Sequence, residues 1–145
     1  MAWCGASIAT NVSNYGRYGM KRKFIEQEDK MAKYLNANGF PGYASDEWPD
    51  DAGAIEALWP SVRGAHKEQH KYIILVWEDY ERQNFGHPCK TLQEVLDALE
   101  DYKKTDMVNA YLVMTYARAR IISDMEFDED KYDADDNLIM PSWAA

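Results

Sequence analysis

The sequence predicts a single small α+β domain, with a mixed or antiparallel sheet and two main helices packed on it. Three observations carry that expectation. The chain has 145 residues, enough for one domain with a modest core but not for two. Tyr72-Ile73-Ile74-Leu75-Val76-Trp77 is almost continuously apolar and rich in β-branched and aromatic residues, as a central strand covered on both faces would be. Thr91-Leu92-Gln93-Glu94 is a capping box, with Thr91 as N-cap and Glu94 three residues on, and it opens an amphipathic helix.

Taken in order, residues 1–19 read as an irregular lead-in broken by Gly5, Gly16 and Gly19, with a short strand near Ile8–Val12 as the alternative. A helix is expected from Met20 to Asn38, because Phe24, Met31, Tyr34 and Leu35 recur near helical spacing and Asn38-Gly39 supplies a left-handed stop. Its first turn, Lys21-Arg22-Lys23, places three cations where the helix dipole disfavours them. Between Pro49 and Pro60, Asp50 or Asp51 can cap a short helix through Ala54, Ile55, Leu58 and Trp59. After the Tyr72–Trp77 strand, Asn84, Gly86 and Pro88 read as a loop.

The helix behind the capping box buries Leu92, Val95, Leu96, Leu99 and Tyr102 and closes on Lys103 and Lys104, cations at the favourable end of the dipole. Residues 108–117 suit a helix face through Val108, Tyr111, Leu112 and Thr115, but their β-branched and aromatic density favours a strand, which completes a strand–helix–strand unit. Another strand is expected over Arg120–Phe127. Residues 128–145 read as an acidic tail or loop with an apolar plug at Leu138-Ile139-Met140 and Trp143.

The formal net charge is −9, and its placement is uneven. Residues 1–72 hold nine basic and nine acidic groups, whereas residues 73–145 hold seven basic and sixteen acidic ones. Phosphate backbones attract cations, so direct nucleic-acid binding by the C-terminal half is disfavoured. A basic partner is attracted instead. No stretch approaches the roughly 18–20 apolar residues of a membrane span. With no signal-peptide pattern and with Cys4 and Cys89 far apart, the expectation is a cytoplasmic protein with reduced thiols.

All three histidines and one cysteine lie within 24 residues: His66, His70, His87 and Cys89. Four such donors are a candidate zinc set, because a borderline-soft ion accepts imidazole and thiolate together. His66-Lys67-Glu68 and Pro88-Cys89 also approach a zinc deaminase signature, with Glu68 as general base. The second cysteine of that pattern would fall at Leu92, so the match is incomplete. No serine-hydrolase elbow, phosphate loop or dinucleotide fingerprint is present.

Asp124, Glu126, Asp128, Glu129, Asp130, Asp133, Asp135 and Asp136 form an acidic run with a single lysine, Lys131. It lacks the glycine and ligand spacing of a calcium loop. Its carboxylates, with Phe127 and Tyr132 interleaved, could imitate a phosphate backbone, and a helix face bearing Asp97, Glu100 and Asp101 could extend that surface. The leading expectation is therefore a non-catalytic binding or inhibitor protein that needs no cofactor and engages a basic, nucleic-acid-handling protein. Phage and mobile-element inhibitors of nucleases and other defence effectors share this size and charge. Carboxylates would steer the encounter and exposed Trp or Tyr side chains would anchor it. A small zinc enzyme built on the His/Cys set and a structural subunit of a homo-oligomer are the alternatives.

Overall fold

The computed structural model describes residues 20–44, 52–64, 70–127 and 134. Within them the elements run α1 (Arg22–Ala37), α2 (Ala52–Gly64), β1 (Tyr72–Glu78), β2 (Gln83–Cys89), α3 (Leu92–Lys104), β3 (Val108–Thr115) and α4 (Tyr116–Phe127). The strands form one antiparallel sheet in the order β2-β1-β3. The α+β expectation holds, and among the described residues four helices accompany the three-stranded sheet. The lead-in, the strand near Ile8–Val12 and the acidic tail lie outside the described residues, apart from position 134.

β1 is central because alternate residues are apolar in both directions. Ile73 and Leu75 join Leu112 and Met114 of β3 in one core, closed by Ala54, Ile55, Leu58 and Val62 of α2 and by Ile121 and Ile122 of α4. Tyr72, Ile74 and Val76 join Val113 and Cys89 in a second core, closed by Val95, Leu96 and Leu99 of α3. Helix α1 serves both: Phe24 and Ile25 pack on the first core, Met31 and Leu35 on the second.

The α1 stop forms as the sequence predicts. Gly39 has φ +91°, its N–H donates to Asn36 O at 3.4 Å, and Phe40 N–H donates to Leu35 O at 2.9 Å, the paired bonds of a Schellman motif. Phe40 is thereby buried against Leu35. The chain then covers the outer edge of β3, where Tyr43 O accepts Val113 N–H at 2.8 Å.

Three expectations are corrected. Asn84, Gly86 and Pro88 belong to β2, not to a loop. Proline cannot donate to a ladder, so Pro88 suits an edge strand, and β2 is one. Gly86 is there because α2 comes close: a Cβ at this position would sit 2.9 Å from Ser61 Cβ. Second, α2 continues past Pro60 to Gly64. An interior proline costs about 3 kcal/mol, but burying aliphatic side chains such as Ile55, Leu58 and Val62 is worth about 1.5–3 kcal/mol each. Third, Arg120–Phe127 is helical. Thr115 ends β3 and caps α4 by accepting Arg118 N–H on Oγ1 at 3.2 Å.

A buried ion pair joins α1 to α4. Arg118 Nε donates to Glu28 Oε2 at 2.9 Å and Nη2 to Oε1 at 3.2 Å, a bidentate pair whose side chains are 2% and 7% exposed. The residues are 90 positions apart.

Candidate functional site

The cap that starts α3 also aims one helix face at β2. Glu94 N–H donates to Thr91 Oγ1 at 3.1 Å, and Glu94 Oε2 accepts the N–H of Lys90 at 2.7 Å, one residue earlier than a standard capping box would have it. With Leu92, Val95, Leu96 and Leu99 turned inward, Glu94, Asp97 and Asp101 recur at three- and four-residue spacing on the outward side. They border a cleft of about 310 Å³ between α3 and β2, whose other walls are His87, Cys89, Ala98 and Tyr102. Asp97 accepts Gln93 Nε2 at 2.9 Å. Glu100 is exposed on the adjoining flank of the helix.

His87 and Cys89 point to the same side of β2 because they are two residues apart. His87 Nδ1 lies 2.6 Å from Tyr102 Oη, and the two rings meet edge to face with centroids 5.9 Å apart. Burial lowers the His87 pKa and outweighs the opposing pull of the Glu94 carboxylate, so the imidazole is held towards its neutral form. Burial, then the Cys89 sulfur once ionised and the Asp101 carboxylate, pushes the Tyr102 hydroxyl up to about 12. Burial and the Glu94 charge push the Cys89 thiol up to about 12 as well. A thiol that is 1% exposed and protonated at neutral pH is a poor nucleophile.

The sequence-predicted donors are only partly brought together. His87 and Cys89 share the cleft, and Cys89 Sγ is 3.9 Å from the carbonyl oxygen of His87 itself. His70 sits just before β1, with its Nδ1 buried and without a hydrogen-bond partner among the described residues. His66 and Glu68 lie outside the described residues. Among the described residues there is no group of three or more histidine, cysteine or carboxylate side chains that could hold a metal ion.

Of the carboxylates singled out, Asp97, Glu100 and Asp101 are exposed on α3, and Asp124 and Glu126 fall within α4. Asp128, Glu129, Asp130, Tyr132, Asp133, Asp135 and Asp136 lie outside the described residues. Glu94 and Tyr102 were legible only as a cap and a core residue. Glu94 stands three residues before Asp97 and seven before Asp101, a spacing that marks a shared helix face. Tyr102 gave no such signal, because its contact with His87 depends on how β2 lies beside the helix.

No described helix is long and apolar enough to cross a membrane. Comparison with protein-family models, with curated proteins and with solved structures finds no match for this chain.

Proposed function

We propose that this protein is a non-catalytic binding protein that engages a basic surface on another macromolecule, a nucleic-acid-handling protein being the partner class its charge suits best. Inhibition of that partner, by occupying a surface that otherwise takes a phosphate backbone, is the mode of action we favour. The observation that carries the reading is the outward face of α3, where Glu94, Asp97, Glu100 and Asp101 are all exposed on a well-capped, rigid helix. Opposite charge at that density attracts cationic surfaces and accelerates encounter at low salt. Among the described residues, the His87–Tyr102 pair and the protonated Cys89 give the cleft no activated nucleophile, which favours binding over covalent chemistry.

The test is the association rate of a fluorescent peptide of alternating arginine and leucine, followed by stopped flow. Asp97→Lys/Asp101→Lys is expected to slow association and to flatten its dependence on salt. An unchanged rate and an unchanged salt dependence would sink the reading.

A further inference from the structure

The end of the sheet where β1 turns into β2 carries a second feature, separate from the acidic stripe. Tyr80 is 75% exposed and Met107 is 49% exposed, although both are large apolar side chains. Tyr80 stands in the β1–β2 turn and Met107 in the α3–β3 turn, and the turns are fastened together. Asp79 N–H donates to Met107 O at 2.7 Å, and Asn109 Nδ2 donates to Asp79 Oδ2 at 3.2 Å. Trp77 Nε1 also donates to Asp79 Oδ1.

The β1–β2 turn is held from within as well. The two Glu78 carboxylate oxygens accept the N–H groups of Tyr80 at 3.0 Å and Glu81 at 3.1 Å. Gln83 Nε2 donates to Glu81 Oε2 at 2.8 Å, and Arg82 is accommodated at φ +53°, a conformation that L-residues adopt at some cost. A turn so braced presents its tyrosine with little backbone freedom left to lose on binding.

The surroundings specify the partner. Asp79, Glu81 and Asp106 are exposed in the two turns, Glu78 ends β1 half-buried, Arg82 is the one cation within the turns, and Lys103 and Lys104 close α3 just before the second. Beside the second turn a recess of about 310 Å³ is lined by Tyr43, Tyr102, Lys103, Asp106 and Asn109, so it already holds a cation of this chain. Tyrosine and methionine are enriched at interface centres, with charges left to the rim.

We infer that the fastened turns Glu78–Arg82 and Thr105–Met107 form the centre of the contact, with Tyr80 and Met107 packing between the cationic side chains of a basic protein partner. This rests on the reading of the chain as a binder of basic surfaces and adds the place and the apolar anchor. Charge complementarity excludes a phosphate backbone as occupant and disfavours a second copy of this acidic chain.

The experiment is titration of isotopically labelled protein with the arginine–leucine peptide, followed by amide NMR shifts, together with affinities for three proteins: wild type, Tyr80→Ser/Met107→Ser and Asp97→Lys/Asp101→Lys. Shifts clustered at residues 78–82 and 105–109, with about tenfold weaker binding by the Tyr80/Met107 variant at unchanged thermal stability, are the expected result. Shifts confined to residues 94–101, with full affinity in that variant and weakened affinity in the Asp97/Asp101 variant, would overturn the anchor and leave the basic-partner reading standing. Full affinity in both variants, or no binding at all, would overturn both. Concentration-dependent shifts at 78–82 and 105–109 without peptide would assign the surface to a second copy and overturn the proposed occupant.

Discussion

Two regions of this molecule use charge in opposite ways. Between α1 and α4, Glu28 and Arg118 are enclosed, meet in bidentate geometry and present almost nothing to solvent. At the turn end of the sheet and along α3, Asp79, Glu81, Asp97, Glu100, Asp101 and Asp106 stand exposed. A buried charge whose partner is removed is left uncompensated in a medium of low dielectric, whereas an exposed charge is solvated whether or not it is paired. The first region therefore answers to stability and the second to association.

The largest separation is expected at the enclosed pair. Arg118→Met removes the guanidinium that pairs with the buried Glu28 carboxylate and should lower unfolding free energy by about 3–5 kcal/mol, read by urea denaturation. The double variant Glu28→Leu/Arg118→Met should recover much of that loss, because similar-sized apolar groups need no partner. A single substitution as mild as a surface change would break the comparison. Next comes Gly86→Ala, which drives a Cβ into Ser61 on α2 and should cost about 1–3 kcal/mol. Pairing it with Ser61→Gly, which clears the space, should restore part of the stability.

Smaller effects are expected from pH. The folded-state pKa of His87 is lowered, so the unfolded chain takes up the proton more readily, and stability should fall as pH drops below about 6.5. Cys89 and Tyr102 are raised, so the unfolded chain gives up those protons first, and stability should fall as pH rises above about 9. Urea denaturation across pH checks both limbs: His87→Gln should flatten the acid limb, and Cys89→Ala with Tyr102→Phe the alkaline one. An acid limb identical to wild type would show that His87 is not held neutral by the fold. The smallest change belongs to Tyr80→Ser, which should leave stability within about 0.5 kcal/mol while weakening the peptide.

The same division explains what was legible. The helix α3, the α1 stop and the strand β1 each carry a local signal: a capping box, an Asn-Gly pair, a continuous apolar run. Helix α4 carries none. Ala117, Arg118, Ala119, Ile121, Ile122 and Ser123 are all buried, so the one-sided periodicity of a surface helix is missing and the apolar run resembles a strand. The β2 residues Gly86 and Pro88 look like breakers because the reasons for them lie elsewhere, in Ser61 of α2 and in the edge position of the strand. The Glu28–Arg118 pair spans 90 positions, and nothing local distinguishes Arg118 from Arg120 two residues on. On the site, Asp97, Glu100 and Asp101 followed from helix spacing. Tyr80 and Met107 did not, because turn residues become neighbours only once the sheet has formed.

The central claim, that the exposed carboxylates serve a basic partner, is tested most directly by the affinity of the arginine–leucine peptide measured between about 50 and about 300 mM NaCl. Affinity that falls steeply with salt for the wild type, and much less so for Asp97→Lys/Asp101→Lys, is the expected result. Affinity that ignores salt, or falls equally in both proteins, would contradict the claim.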